Sequence, residues 1–482
     1  MMRSSNLRSA ILCTLLTLTG VATFVQADEA DQSRPPNVLL LVADDLGYSE
    51  LGCMGNRQVR TPHLDRFAGK SLLCRQAYVA APNCSPSRAG FLTGRFPTRF
   101  GYEFNPIGAR NEDPGTGLPS QQKTLSEYLH DVGYTTGLIG KWHLGGAADY
   151  HPLRHGFDEF FGFLHEGHYF VPSPWEGTTT WLRRRGLPAG SGSRYQINDR
   201  LIYSSHMGHD EPAYDADNPI LRGGQPVVEN EYLTDAITRE SVSFIKRYQG
   251  HPWFLYVAYN AVHSPLQAKE ETLKQFADVE DIQRRIFLAM LADLDKSVGA
   301  ILQAVTDAGE MDNTLIVFLS DNGGPTRETT ASNLPLRAGK GSMYEGGIRI
   351  PMILHWPGHT QPGTSTENVA SSLDLYATVV ELIGRPAPFP LDGVSWSQAL
   401  SDAPPQRQLY WRQGKRAALR QGNWKIITDN GHESATNWEL YDLANDPSEK
   451  LNLAGAAEHQ QRRETLLRVW QDLNGEMAEP LF

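Results

Sequence analysis

Four continuous apolar runs of strand length punctuate the chain: Asn37–Ala43, Thr135–Ile139, Trp253–Tyr259 and Thr314–Leu319. A run without polar alternation is what a strand covered on both faces requires, as in a parallel sheet. Between these runs the apolar positions take helical spacing over Leu125–His130, Tyr232–Tyr248 and Ile282–Ala308. The alternation predicts an α/β sandwich around a large, mainly parallel sheet. After Ile383-Gly384 the pattern breaks at the proline-rich connector Arg385–Pro390. Short β-like pieces follow at Gln408–Gln413, Arg416–Arg420, Trp424–Thr428 and Trp438–Asp442, then an amphipathic helix from about Glu458 to Leu473. They predict a smaller C-terminal subdomain over 385–482, an antiparallel sheet packed with one helix.

One further apolar run, Ile11–Val25, follows Arg3 and Arg8 and ends at the small-residue site Val25-Gln26-Ala27. That is the form of a secretory signal over 1–27, too short and too interrupted for a membrane span. It leaves an α/β domain over 28–384, predicts a periplasmic or secreted protein, and implies no membrane span after its removal. The segment from His165 to Gly224 has no periodicity and is rich in Gly, Pro, Tyr, Trp and Arg. It is expected to be a loop-like lid. Within it Trp175 and Trp181 suit sugar stacking, and Arg183-Arg184-Arg185 fits either an anion-binding element or a solvated basic turn.

Composition narrows the partners. At 482 residues, 40% hydrophobic and 21% charged, the chain can bury a large core. Removing Arg3 and Arg8 takes the formal net charge from −11 to −13, which argues against nucleic acid as a partner. An anionic substrate would then need positive side chains gathered in one pocket. Outside the signal, Cys53, Cys74 and Cys84 are an odd number for an exported protein, and Cys84 is the candidate unpaired thiol. Cys53 and Cys74 fit either a disulfide or two buried thiols.

Ligands of a parallel α/β sheet gather beyond the carboxyl ends of its strands. Just past the four apolar runs stand Asp44 and Asp45, Lys141 and His143, His263, and Asp321 and Asn322. A lone strand end of this kind is ordinary turn chemistry; four converging ends point to a site. The stretch Cys84-Ser85-Pro86-Ser87-Arg88 adds a cysteine and an arginine. Pro86 disfavours helix at Ser85 and suits a first helical turn, so Cys84 is expected just ahead of a helix N-terminus with Arg88 pointing back toward it.

These pieces together resemble the type I, formylglycine-dependent sulfatases of the alkaline-phosphatase-like superfamily. The likeness runs over Asn37–Gly47, Cys84–Arg95, Gly140–Gly145, His263-Ser264-Pro265, Leu319–Gly324 and Gly339–Pro351. It implies an alkaline-phosphatase-like sandwich and conversion of Cys84 to formylglycine by a maturation enzyme that reads C-x-P-x-R, the hydrated aldehyde supplying a nucleophilic hydroxyl. It further implies Ca2+ held by Asp44, Asp45, Asp321 and Asn322, an all-oxygen set suited to a hard cation. By the same resemblance Arg88, Lys141 and Lys340 hold the sulfate. His143 orients the nucleophile, and His263 serves the leaving oxygen. Thr93 and Arg95 would brace the formylglycine turn, and Glu345 the loop after Lys340.

Within that family the chain looks most like bacterial polysaccharide sulfatases, and Gly101–Asn105 resembles the same stretch of carrageenan-active members. A carrageenan-type galactan is the first expected substrate and a glycosaminoglycan the second, with Glu103, Asn105, Trp175, Trp181 and Arg327 as specificity candidates. The alternatives are an aryl sulfatase, a phosphonate or phosphate monoester hydrolase, and a glycan-binding protein on an inactive scaffold.

Overall fold

The computed structural model describes residues 34–214 and 217–482; the expected signal over 1–27 lies outside them. Pro35–Phe482 form one unit. Its core is a ten-stranded sheet running, edge to edge, through Thr364–Ser371, Leu72–Tyr78, Arg349–His355, Thr314–Ser320, Asn37–Ala43, Trp253–Ala258, Thr135–Lys141, Glu159–Phe163, Leu221–Arg222 and Gln225–Pro226. The four apolar runs are four adjacent central strands, all mutually parallel. Their order is not their chain order, so each is reached by a crossover, and the crossovers supply the covering helices.

Asn37–Ala43 shows why such a run carries no polar alternation. Leu39, Leu41 and Ala43 enter one buried cluster, together with helices Leu233–Arg247 and Ile282–Asp307. Val38, Leu40 and Val42 enter a second cluster on the other face, with helices Cys84–Thr93, Leu125–Asp131 and Asp374–Ile383. Local signals set the helix starts. Thr124 and Glu127 form a reciprocal capping box, and Asp281 accepts from the Arg284 amide.

The loop-like expectation for 165–224 is corrected. Thr178–Arg183, Arg194–Gln196 and Leu201–Ser204 join Leu266–Lys269, a strand that follows directly on His263-Ser264-Pro265, in a separate four-stranded sheet. Pairing rather than local pattern makes these strands: Arg194–Gln196 is wholly exposed and three residues long. The C-terminal pieces form the expected antiparallel sheet in chain order, with helix Gln460–Asn474 packed against it. Cys53, Cys74 and Cys84 are all free thiols. Among the described residues no helix is long and apolar enough to cross a membrane.

Two devices fix the end of strand Thr135–Lys141. Gly140 has φ +113°, and a Cβ there would lie 1.9 Å from the Ala258 carbonyl oxygen, so only glycine lets the neighbouring strand run this close. Next to Lys141, the fully buried Trp142 ring packs on His155 with centroids 5.6 Å apart. His155 is 1% exposed, and among the described residues neither ring nitrogen has a hydrogen-bond partner. Burial pushes its pKa from 6.5 down to about 4. A depressed pKa means that the neutral ring's contribution is complete above pH 6.5 and is lost as pH falls through 4. Stability is therefore expected to drop by up to about 3 kcal/mol over that window, and His155→Phe to flatten this part of the curve in urea melts at stepped pH. Equal slopes for both proteins would refute the assignment.

Candidate active site

The carboxyl ends of the central strands bring the predicted groups into one buried cluster. Oxygen and sulfur atoms of Asp44, Asp45, Asp321 and Cys84 lie within 4.8 Å of one another. Cys84 opens the helix Cys84–Thr93, which therefore starts earlier than expected, with Asn83 as N-cap. Its Sγ lies 3.6 Å from Asp44 Oδ1, and burial pushes its thiol pKa well up. Asn83 contributes no side-chain cap; instead Asn105 Oδ1 accepts from the Ser85 amide at 3.0 Å and caps the helix from a distant loop.

The three cations partition among the three acids. Arg88 is fully buried and gives Asp321 Oδ2 two hydrogen bonds, from Nε at 3.1 Å and Nη2 at 2.8 Å. Its Nη1 donates to the Lys141 carbonyl and to Tyr256 Oη. Lys141 Nζ sits 2.5 Å from Asp44 Oδ2, and Lys340 Nζ 2.8 Å from Asp45 Oδ2. Burial would raise the pKa of Asp44, but Lys141, Arg88 and Lys340 outweigh it and hold this carboxyl low. Burial wins at Asp45, which rises to about 7 against the pull of Lys340, with Asp44 and Asp321 adding to the rise. Asp321 is also raised, chiefly by burial.

Both histidines face inward with defined tautomers. His143 Nε2 lies 3.0 Å from the Pro106 carbonyl, which can only accept, so Nε2 carries the hydrogen and Nδ1, buried and unpartnered, presents its lone pair. His263 Nδ1 likewise donates to the Ser264 carbonyl at 2.5 Å and leaves Nε2 facing the site, 3.6 Å from Asp45 Oδ2. Burial, then the nearby lysines, pushes both imidazoles well below their usual pKa. Asp45 and His143 sit at φ +63° and +55°, a left-handed backbone that costs a non-glycine residue about 1–3 kcal/mol and is retained where function aims a side chain.

The donor set fits a hard divalent cation. Asn322 Nδ2 donates to Asp45 Oδ1 at 2.7 Å and to the Gly323 carbonyl at 2.9 Å, and its own Oδ1 is buried without a hydrogen-bond partner among the described residues. An orphaned amide oxygen beside three converging carboxylates is a mainly oxygen set, in which the Cys84 sulfur and His263 are outnumbered.

Several expected roles are corrected. Glu103 is buried and ion-paired with Arg412, whose Nε and Nη2 lie at 2.8 and 2.5 Å, so it ties the C-terminal sheet to the main body rather than facing a substrate. Trp181 is 2% exposed within the main core, and Asn105 is spent on the helix cap. Trp175 is half-buried against Tyr169, and Arg327 is exposed with Nη2 on the His206 carbonyl. Thr93 bonds back to Ala89 in its own helix, and Arg95 reaches Gln122 and packs over Phe389, so neither braces the Cys84 turn. Glu345 is held by Lys425 and Tyr78. Tyr256 and Glu328 were missed. Tyr256 had a signal, a lone hydroxyl in an apolar strand that must find a buried partner.

A family model described as Sulfatase matches residues 36–385, and one described as N-sulphoglucosamine sulphohydrolase, C-terminal, matches 338–476. Human N-acetylgalactosamine-6-sulfatase is 36% identical over 364 residues, covering 74% of this chain and 63% of its own length. Human arylsulfatase A is 33% identical over 88% of this chain and 84% of its own. The structure of Ps i-CgsB in complex with k-i-k-neocarrahexaose superposes with a TM-score of 0.80 at 34% identity, covering 93% of this chain and 94% of that one.

Proposed function

The chain belongs to the sulfatase family, hydrolases of sulfuric esters, and on that premise we propose that it is an exported enzyme removing sulfate from a sulfated polysaccharide or oligosaccharide, with a carrageenan-type galactan as the first substrate class. The observation that carries the reading is the charge balance around Cys84. Three buried carboxylates, Asp44, Asp45 and Asp321, stand against three cations, the buried Arg88 and Lys141 and the part-buried Lys340, whose side chain is 16% exposed. The six side-chain charges cancel one another, so a bound divalent cation would leave the pocket positive, suited to a monoanionic sulfate ester and to the sulfate dianion released from it. With its own side-chain charges balanced, the centre of this acidic protein would draw an anionic substrate through the excess positive charge of the held cation.

In this reading Asp44, Asp45, Asp321 and Asn322 hold Ca2+, which supplies Lewis-acid polarisation when bound. Cys84 is the precursor of formylglycine, whose hydrate supplies the attacking hydroxyl. The residues from Cys84 to Arg88 are all buried, so a maturation enzyme must read them before the chain has finished folding. Arg88, Lys141 and Lys340 bind the sulfate oxygens and stabilise the charge that grows on them. His143 Nδ1 accepts a proton at the nucleophile, and His263 Nε2 exchanges one with the leaving oxygen. Support for a galactan comes from Ps i-CgsB, which matches over nearly its whole length with a carrageenan oligosaccharide bound. The human N-acetylgalactosamine-6-sulfatase likeness favours a second substrate, a 6-sulfated galactosamine glycan.

The test is sulfate release from defined oligosaccharides of both classes, by protein whose Cys84 peptide has been weighed. The modified peptide and faster release from carrageenan oligosaccharides are expected. A plain thiol in active enzyme refutes the modification, and preference for the galactosamine series overturns the substrate order.

A further inference from the structure

Beside the site lies a group of buried ionisable side chains that none of the roles above employs. Arg183, 6% exposed, closes strand Thr178–Arg183 of the insert. It meets two carboxylates, with Nη1 2.5 Å from Glu328 Oε1 and Nη2 2.6 Å from Glu211 Oε1. Its Nη2 also reaches Tyr214 Oη at 3.0 Å and Ser264 Oγ at 3.3 Å. Ser264 Oγ in turn donates to Glu328 Oε1 at 2.6 Å. Glu328 stands in the short helix Thr326–Thr329, soon after Asp321 and Asn322, and Gln283 holds its backbone carbonyl at 2.7 Å.

The topology explains why these groups meet. Trp181 pairs with Leu266 in antiparallel register, and continuing that register by two residues sets Arg183 opposite Ser264. The His263-Ser264 turn is thereby held at its hydroxyl, its carbonyl and its ring. The Ser264 hydroxyl is bonded to Glu328, its carbonyl takes the His263 Nδ1 hydrogen, and the Tyr214 ring stands edge-on to the imidazole at 6.3 Å. A buried arginine between two carboxylates adds little net stability compared with apolar packing, so its use here points to geometry.

We infer that Glu328 and Arg183 are positioning residues for His263, locking the His263-Ser264 turn so that imidazole Nε2 is aimed at the leaving oxygen. The inference rests on the role proposed above for His263. It also gives the insert a function: its sheet ends on the residue that steadies the leaving-group histidine. The hydrogen bonds of these two side chains go to one another, Glu211, Tyr214 and Ser264, while the charge of Glu328 is also felt by Lys340 and His263. Arg183, which the sequence left open as an anion-binding group, is committed to Glu211 and Glu328.

A leaving-group comparison separates positioning from general structural support. A sugar alkoxide needs a proton as it departs, whereas a nitrophenolate departs without help. Glu328→Gln and Ser264→Ala are compared with the wild type on a sulfated carrageenan oligosaccharide and on 4-nitrophenyl sulfate, with melting curves for each. On the oligosaccharide, kcat is expected to fall by about tenfold or more with KM within about twofold, while the aryl sulfate falls by less than about threefold. Parallel losses on both substrates, or none on either, overturn the inference. If Glu328→Gln does not fold, Ser264→Ala decides between the outcomes, since it removes only a hydroxyl. A His263→Ala control separates the two levels. If it is selective for the oligosaccharide and the Glu328 and Ser264 variants are not, the inference alone fails. If it is not selective, the role of His263 fails and the inference falls with it.

Discussion

Replacing Lys425 by methionine is expected to lower the free energy of unfolding by about 3–5 kcal/mol, among the largest losses from a single change outside the active site. Lys425 lies on strand Trp424–Thr428 of the C-terminal sheet, and its side chain is fully buried. Its Nζ is 3.0 Å from Glu345 Oε1 and 2.8 Å from Glu449 Oε1, both carboxylates equally buried. Burial raises the pKa of Glu345, but Lys425, Arg349 and Arg420 outweigh it and hold this group down at about 2. Glu449 loses the same contest: burial pushes it up to about 7 against Lys425, and the charge of Glu345 adds to the rise. Without the ammonium, Glu345 keeps Arg349 at 3.6 Å, whereas Glu449 keeps only the Glu345 amide at 2.6 Å. Two buried charges then lack their main partner, which costs far more than the pair contributes. Adding Glu449→Gln to the methionine variant should restore part of the loss, because it removes the worse-placed charge. Urea unfolding of the single and double variants measures both effects. A loss below about 1 kcal/mol for Lys425→Met would show that the chain relaxes around the vacant position and that the triad is not what docks the two sheets.

That triad also shows what a single sequence can and cannot disclose. Glu345 stands in a recognisable motif five residues after Lys340, yet its partners lie about eighty and a hundred positions on. Pattern along the chain carries no information about such pairings. The same holds for Glu103, whose guanidinium partner is 309 residues away. It holds too for Trp181 and Arg183, read as sugar- or anion-facing because aromatic and basic residues usually are, but turned inward by strand pairing. What was legible follows from physics acting over short range. A strand buried on both faces must be apolar throughout, so the four central strands were visible at nearly their true bounds. The polar groups at their ends were visible because parallel strands present all their carboxyl ends on one side. Strands such as Thr364–Ser371, mostly polar and on the sheet edge, have no comparable signal.

Cys84→Ala is expected to reduce turnover by at least about 10⁴-fold while leaving the fold and the sulfate pocket in place. The separation follows from how the site is held together. Among the described residues the thiol makes one weak hydrogen bond, 3.6 Å to Asp44. Arg88, by contrast, is bonded to Asp321, the Lys141 carbonyl and Tyr256, and its loss would leave buried acids uncompensated. The helix start at Cys84 is capped by Asn105 through the Ser85 amide, and Ser85 Oγ bridges the His143 carbonyl and Tyr102, so the turn keeps its shape without the sulfur. Truncating a buried thiol to a methyl group should cost less than about 2 kcal/mol. The cationic cradle of Arg88, Lys141 and Lys340 remains, so the alanine protein should still bind its sulfated oligosaccharide with a dissociation constant within about fivefold of the KM of the modified enzyme. Single-turnover sulfate release and calorimetric titration of the same preparation measure the two halves. Retention of more than about 1% of activity would remove Cys84 as the source of the nucleophile. Loss of binding along with turnover would mean that the nucleophile position also builds the pocket, against the independence that its contacts imply.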